Sequence, residues 1–303
     1  MVALRRVPRS QRNPDDTGHS APKQRPPRAR FDGARGGVPD VTPNGRVPAA
    51  TPDGPSMNWA LVAGLAVAGL VTGWCLRCIV FRQAVPAGAP PATACPACGW
   101  EVRMYGRLPG PVGSPAARCP GCRARIGPPP LTVELVTAVM FGALAARVHP
   151  GLVLAAACWL AACCVALAWI DAGVRRLPDV LTVPAYAGTT GLLLLAADAG
   201  SPWPDLLRAL LGGLSLAACY LALVVMTRSA IGLGDAKLAA SLGTLAAWAS
   251  WPALIAGSFA GFLLGAVYGA ALLLSRRARL GQAIAFGPFM IAGVFLAVLA
   301  SGG

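Results

Sequence analysis

The stretch Ile231-Gly232-Leu233-Gly234-Asp235-Ala236-Lys237-Leu238 sets a carboxylate and an ammonium two residues apart between long apolar runs. An acid at a membrane segment is costly, so one kept there marks a candidate functional site. Gly232 and Gly234 leave no side chain beside the acid, which lets another backbone or an extended peptide come close. A second acid, Asp171, stands directly after the apolar run Gly151 to Ile170.

Composition sets the class. Of the 303 residues 55% are hydrophobic and only 13% charged, and the mean hydropathy is +0.59. A soluble domain carries about 25% charged residues. The expectation is an all-α, polytopic integral membrane protein whose surroundings are a lipid bilayer. The net charge of +14 does not point to nucleic acid, because the basic residues fall in a tail and in the breaks between apolar runs.

Residues 1–56 are rich in Arg, Pro and Gly and read as a disordered basic tail. Met57 stands just before the first apolar run and is an alternative start, which would leave the tail untranslated. The first span runs from about Trp59 to Phe81, so residues 57–82 form the first transmembrane unit. Residues 83–130 form a polar, Pro- and Gly-rich loop, and residues 131–303 a multi-helix membrane body. Apolar runs there cover Leu131–Ala146, Gly151–Ile170, Leu181–Ala197, Leu206–Met226, Ala236–Trp248, Pro252–Ser275 and Ala283–Ser301, giving eight candidate spans in all. The run from Ala236 is the shortest fit and needs part of the Gly-Leu-Gly-Asp stretch, or Ser250 and Trp251, to cross.

Parity then orders the loops. Two spans separate the polar loop from Asp171, two more separate Asp171 from Asp235, and another two lead to the break at Ser275–Gly281. Polar loop, both acids and the Arg276/Arg277/Arg279 cluster therefore share one face. That face also holds Arg82, Arg103, Arg107, Arg118, Arg123, Arg125, Arg175, Arg176, Arg228 and Lys237, whereas the opposite breaks offer Arg147, His149, Asp198, Asp205 and Arg208. The positive-inside bias makes the first face cytoplasmic, in an inner or plasma membrane.

The polar loop contains Cys95-Pro96-Ala97-Cys98, twenty residues, then Cys119-Pro120-Gly121-Cys122. Two such pairs can offer four thiolates to one tetrahedral Zn²⁺ with no open position, a structural site. Two disulfides are the alternative, and a reducing cytoplasm disfavours them. The other cysteines, Cys75, Cys78, Cys158, Cys163, Cys164 and Cys219, read as small packing residues.

Asp171 and Asp235 form the other constellation. Two carboxylates at close range share a proton, so one serves as general base on water while the other donates to a carbonyl. The bland alternative is that each acid merely ends a helix at the interface; placement on one face favours the pair. Asp179 reads as the N-cap of the following helix. Lys237 reads as a residue that snorkels or neutralises the pair.

Several motifs in order resemble the bacterial prepilin peptidases, the type IV leader peptidase family of membrane aspartic proteases. They are Gly73-Trp-Cys-Leu-Arg-Cys-Ile-Val-Phe-Arg82, the two CxxC pairs, Glu134-Leu135, Ile170-Asp171…Leu177-Pro178-Asp179, Gly232-Leu233-Gly234-Asp235-Ala236-Lys237, and Ala285-Phe286-Gly287-Pro288-Phe289. The resemblance runs from about Gly73 to the C-terminus. It implies Asp171 and Asp235 as catalytic, with Gly232, Gly234, Lys237 and Asp179 in support. It implies a prepilin or pseudopilin substrate cut on the cytoplasmic side, and N-methylation of the new terminus with S-adenosylmethionine. Arg77 stands where the family has Asn, and the loop lacks the usual Asp-Asn-Ile-Pro; both departures bear on methyl transfer more than on cleavage. A presenilin-like intramembrane protease also uses GxGD, but its Pro-Ala-Leu is expected near the end of the chain, whereas here Pro252-Ala253-Leu254 follows Asp235 after one short run. A transporter or zinc-bearing scaffold is the non-enzymatic alternative, and the inverted repeats of a transporter are not evident.

Overall fold

The computed structural model describes residues 58–86, 88–102, 117–226, 232–276 and 285–302. The basic tail 1–56, Met57, Arg103, Arg107, Arg228, Ile231, Arg277, Arg279 and Ala283 lie outside the described residues. Eight helices account for the regular structure there: α1 (Trp59–Gln83), α2 (Thr132–Arg147), α3 (Leu152–Val174), α4 (Asp179–Asp198), α5 (Trp203–Met226), α6 (Leu233–Ala249), α7 (Trp251–Leu274) and α8 (Gly287–Ser301). The chain is an all-helical, multi-pass membrane protein.

Five helices, α1, α3, α4, α5 and α7, are long and apolar enough to cross a membrane. The other three are shorter, with 16 residues in α2, 17 in α6 and 15 in α8. α6 takes in Leu233, Gly234 and Asp235 and still ends at 17 residues. α8 starts later than its apolar run, at Phe286-Gly287-Pro288; a proline suits a first helical turn, where its missing N–H costs nothing.

Hydrophobicity alone cannot pull helices together in lipid, so close backbone contact must. Small residues provide it. A side chain at Gly73 of α1 would come 2.5 Å from Glu134 Cα of α2, and one at Gly257 of α7 would come 2.9 Å from Val294 Cα of α8. The opposite face of α7 carries Ile255, Phe259, Leu263 and Val267, all exposed at fourfold spacing, which suits contact with lipid tails. α3 and α6 are the most buried helices, and Leu160, Leu167 and Ile170 of α3 are wholly enclosed at the centre of the bundle.

Arg77 of α1 and Glu134 of α2 form an ion pair inside this packing, only 1% and 5% exposed. Near the start of α5, Arg208 pairs with Asp205 at 2.9 Å and its Nε donates to Ala247 O at 2.7 Å, near the C-terminus of α6. Of the remaining cysteines, Cys78, Cys158, Cys163 and Cys164 are buried packing residues as expected, while Cys75 and Cys219 are exposed.

Candidate active site and metal centre

α3 does not stop where its apolar run does. It continues from Ile170 to Val174, so Asp171 lies one turn inside the helix and is 5% exposed. Arg175 then turns the chain, with a left-handed φ of 53° and its N–H on Asp171 O at 2.8 Å. The Asp171 carboxylate points inward, where its Oδ2 accepts the backbone N–H of Gly287 at 3.0 Å. A β-carbon at Gly287 would sit 2.9 Å from that oxygen, so only glycine brings the amide this close without displacing the acid.

Asp235 is the third residue of α6. Its Oδ2 reaches back to the N–H of Gly232, the N-cap, at 3.1 Å, which is the acid's half of a capping box. It is 8% exposed. The two acids thus end up on different helices, each with one oxygen held by a backbone N–H. Among the described residues the second oxygen of each has no hydrogen-bond partner. The two carboxylates lie near enough to repel one another electrostatically.

Of the glycines around Asp235, Gly234 has a neighbour packed close against it, while a β-carbon at Gly232 would meet nothing nearer than Asp235 Oδ2 at 3.8 Å. A β-carbon at Gly234 would come 2.8 Å from Leu177 Cβ, so the connector between α3 and α4 packs directly on the motif. Two expectations are corrected. Asp179 is not an N-cap: Pro178 takes that place, and Asp179 is the first residue of α4. Its Oδ1 instead accepts from Lys237 Nζ at 2.6 Å. Lys237 accordingly does not neutralise the pair of buried acids; its ammonium is on Asp179. A lysine on the neighbouring helix offers that carboxylate a full charge, which an N-cap amide does not.

Tyr220 of α5 carried no signal in the sequence. It is buried and stacks on Phe262 with ring centroids 5.5 Å apart, and Phe262 in turn meets Phe286 at 5.2 Å. Asp235 lies close enough to act electrostatically on the Tyr220 phenol. This cluster walls the site on the side of α5 and α7.

The cysteine loop is built from two matching knuckles. Cys95 N–H donates to Trp100 O at 2.8 Å and Gly99 N–H to Cys95 O at 2.9 Å; Cys119 N–H donates to Ala124 O at 2.8 Å and Arg123 N–H to Cys119 O at 2.9 Å. All four cysteines are free thiols, with Cys95 and Cys122 sulfurs 3.8 Å apart and those of Cys98 and Cys119 3.6 Å apart. Tetrahedral zinc with bonds of about 2.3 Å needs sulfurs about 3.8 Å apart, so the cluster fits. Backbone N–H groups of Cys122 and Gly121 pull the Cys119 thiol down to about 7, while Cys98, despite the Trp100 backbone N–H, is pushed up to about 12 by its hydrogen bond with the Cys122 thiol. The cluster sits against α1, where Cys78 and Phe81 pack with Val102 and Ile126.

The family model described as the type IV leader peptidase family matches residues 158–270, the stretch that holds both acids. The chain is 34% identical over 214 residues to the prepilin leader peptidase/N-methyltransferase of Aeromonas salmonicida strain A449, covering 69% of this chain and 71% of the relative. The chain belongs to the type IV leader peptidase family. The Pseudomonas aeruginosa PAO1 member of the same name is 34% identical over 225 residues, 69% of this chain and 71% of its own. That of Burkholderia pseudomallei K96243 is 30% identical over 275 residues, 81% of this chain and 85% of its own. No solved structure matches. This family is one of aspartic peptidases, so the chain is read as an enzyme rather than a scaffold.

Proposed function

We propose that the protein is a membrane aspartic endopeptidase that removes the leader peptide of type IV prepilins or pseudopilins, and then N-methylates the new terminus. The observation that carries the peptidase reading is the pair Asp171 and Asp235: two buried acids on different helices, each anchored through one oxygen and within electrostatic reach of the other. The oxygens not held by a backbone N–H are left for proton transfer. One acid, ionised, takes a proton from water, and the other, protonated, gives its proton to the scissile carbonyl. No metal is needed for that step. Gly232 leaves room at Asp235, Gly234 lets Leu177 pack against the motif, and Asp179 with Lys237 ties the start of α4 to α6.

Cleavage takes place on the cytoplasmic face of the cell's inner membrane, the face given by charge and parity. The division of labour follows the chain: a metal loop at 83–130 and a peptidase body at 131–303. Cys95, Cys98, Cys119 and Cys122 would hold a structural Zn²⁺, which would fix the fold of the loop. S-adenosylmethionine would supply the methyl group. Of two cavities of the described residues, one of about 610 Å³ beside Asp205 and Arg208 lies at the end of α3 remote from Asp171, and one of about 350 Å³ between α2, α3 and α8 is apolar and does not suit a charged cofactor.

Co-expression with a prepilin tests the reading. The expected product is a shortened pilin whose mass carries one added methyl group. A shortened pilin without the methyl would remove the second activity and keep the first; an uncut prepilin would refute the peptidase.

A further inference from the structure

Four residues, 175–178, join α3 to α4, and with Asp179 they touch two separate parts of the molecule, the root of the cysteine loop and α6. Arg176 reaches back to the root of the cysteine loop, where its Nη1 donates to Pro86 O at 3.1 Å and to Val85 O at 3.4 Å. Leu177 packs on Gly234, and Asp179 holds Lys237 at 2.6 Å. Val85 and Pro86 follow directly on α1, and a few residues on, Ala92 N–H returns to Arg82 O at 2.9 Å to start the loop. The loop root therefore grips one end of a connector whose other end sets the first turn of α6, which carries Asp235.

The chemistry of the grip suits a strut. A guanidinium is always charged, and its rigid fork can serve two successive carbonyls at once. The Pro86 carbonyl, which also accepts the Ala89 N–H at 3.1 Å, takes the cation on its second lone pair. The connector itself is short and begins at a non-glycine residue in the left-handed region, Arg175 at φ 53°, so it has few alternative shapes that keep its other contacts.

We propose that Arg176 is a positioning residue that couples the cysteine loop to the peptidase site: by holding the loop root to the α3–α4 connector it sets Leu177 against Gly234 and Asp179 against Lys237, and so places Asp235. The inference rests on the peptidase reading only for its effect on cleavage; the coupling itself is a property of the fold. It makes the loop more than an appendage, because loss of metal at Cys98 or its partners is felt at α6.

Hydrogen exchange of the full chain in nanodiscs tests it, read at the first turns of α6 (Asp235 to Ala240) with α5 as the control. Arg176→Ala should raise exchange in those turns about tenfold, the usual scale of coupling through a packed network, and leave α5 and the zinc content unchanged. Arg176→Lys, which keeps a donor to the same carbonyls, should recover part of the protection. Cys98→Ser should raise exchange at the same turns, and the double variant Cys98→Ser/Arg176→Ala should be no worse than the worse single variant. Unchanged exchange in Arg176→Ala, a rise that spreads equally to α5, no recovery by Lys, or a double variant equal to the product of the singles would each overturn the proposal. Prepilin cleavage by the same proteins separates the two ideas. Exchange that behaves as expected in a wild type that cuts no prepilin would sink the peptidase reading and keep the strut. Normal cleavage with unchanged exchange in Arg176→Ala would do the reverse.

Discussion

The backbone N–H of Gly287 donates to Asp171 Oδ2 at 3.0 Å across 116 positions of sequence. The late Phe-Gly-Pro-Phe motif thereby becomes part of the same site as the first acid. Gly287 is the first residue of α8, and its donor would otherwise be unpaired at the helix start. One carboxylate oxygen is fixed by it and the other is left for chemistry.

Gly287→Ala should separate geometry from folding. The added carbon meets the tip of a side chain, not backbone, so Asp171 can swing aside and the bundle survives. Cleavage should fall by about ten- to a hundredfold, the cost of a misplaced catalytic group, with little change in thermal midpoint. Wild-type cleavage by the variant would mean that the Gly287 amide does not set Asp171.

Arg77 and Glu134 make a prediction about stability. Removing one partner of a buried pair strands the other charge, at about 3–5 kcal/mol. Arg77→Ala and Glu134→Ala should each unfold the protein at lower denaturant in a detergent titration, and the double variant should cost less than the two together. Strict additivity would show that the two side chains do not depend on each other.

Purified protein should contain about one zinc per chain, as four thiolates fill one tetrahedral site. Cys98→Ser should release it and expose the loop to protease. Full zinc occupancy in that variant would rule out the four-cysteine site.

Orientation is checked with reporter fusions. Fusions after Arg125 and after Arg276 should both report cytoplasm, and one after Asp198 the opposite side. Reports from one side at Arg125 and Asp198 would break the parity on which the cytoplasmic site rests.

Much of this was legible in the sequence because membrane helices announce themselves as long apolar runs and because Asp235, Asp171 and the cysteine pairs lie in short local patterns. The partners were not legible. The rule that favours Asp as an N-cap misplaced Asp179, because it sees only the next turn and not a lysine 58 residues away. Arg77–Glu134 is likewise a contact between helices, 57 residues apart, that no periodicity encodes. Tyr220 sits in an apolar run where an aromatic residue is unremarkable, and only the folding of α5 beside α6 brings it near Asp235. α3 runs past the end of its apolar run at Ile170, because an inward-facing acid ends a hydrophobic stretch without ending the helix.

The central claim is that Asp171 and Asp235 act as one catalytic pair. Its most direct test is prepilin cleavage by Asp171→Asn and by Asp235→Asn in membranes where both variants accumulate normally, with Asp179→Asn beside them. Asparagine keeps the shape and an acceptor for the Gly287 and Gly232 amides but can neither take a proton from water nor hold one for the carbonyl. Each of the two variants should leave the prepilin uncut, while Asp179→Asn retains substantial cleavage. Near-normal cleavage by Asp171→Asn or Asp235→Asn would contradict the account.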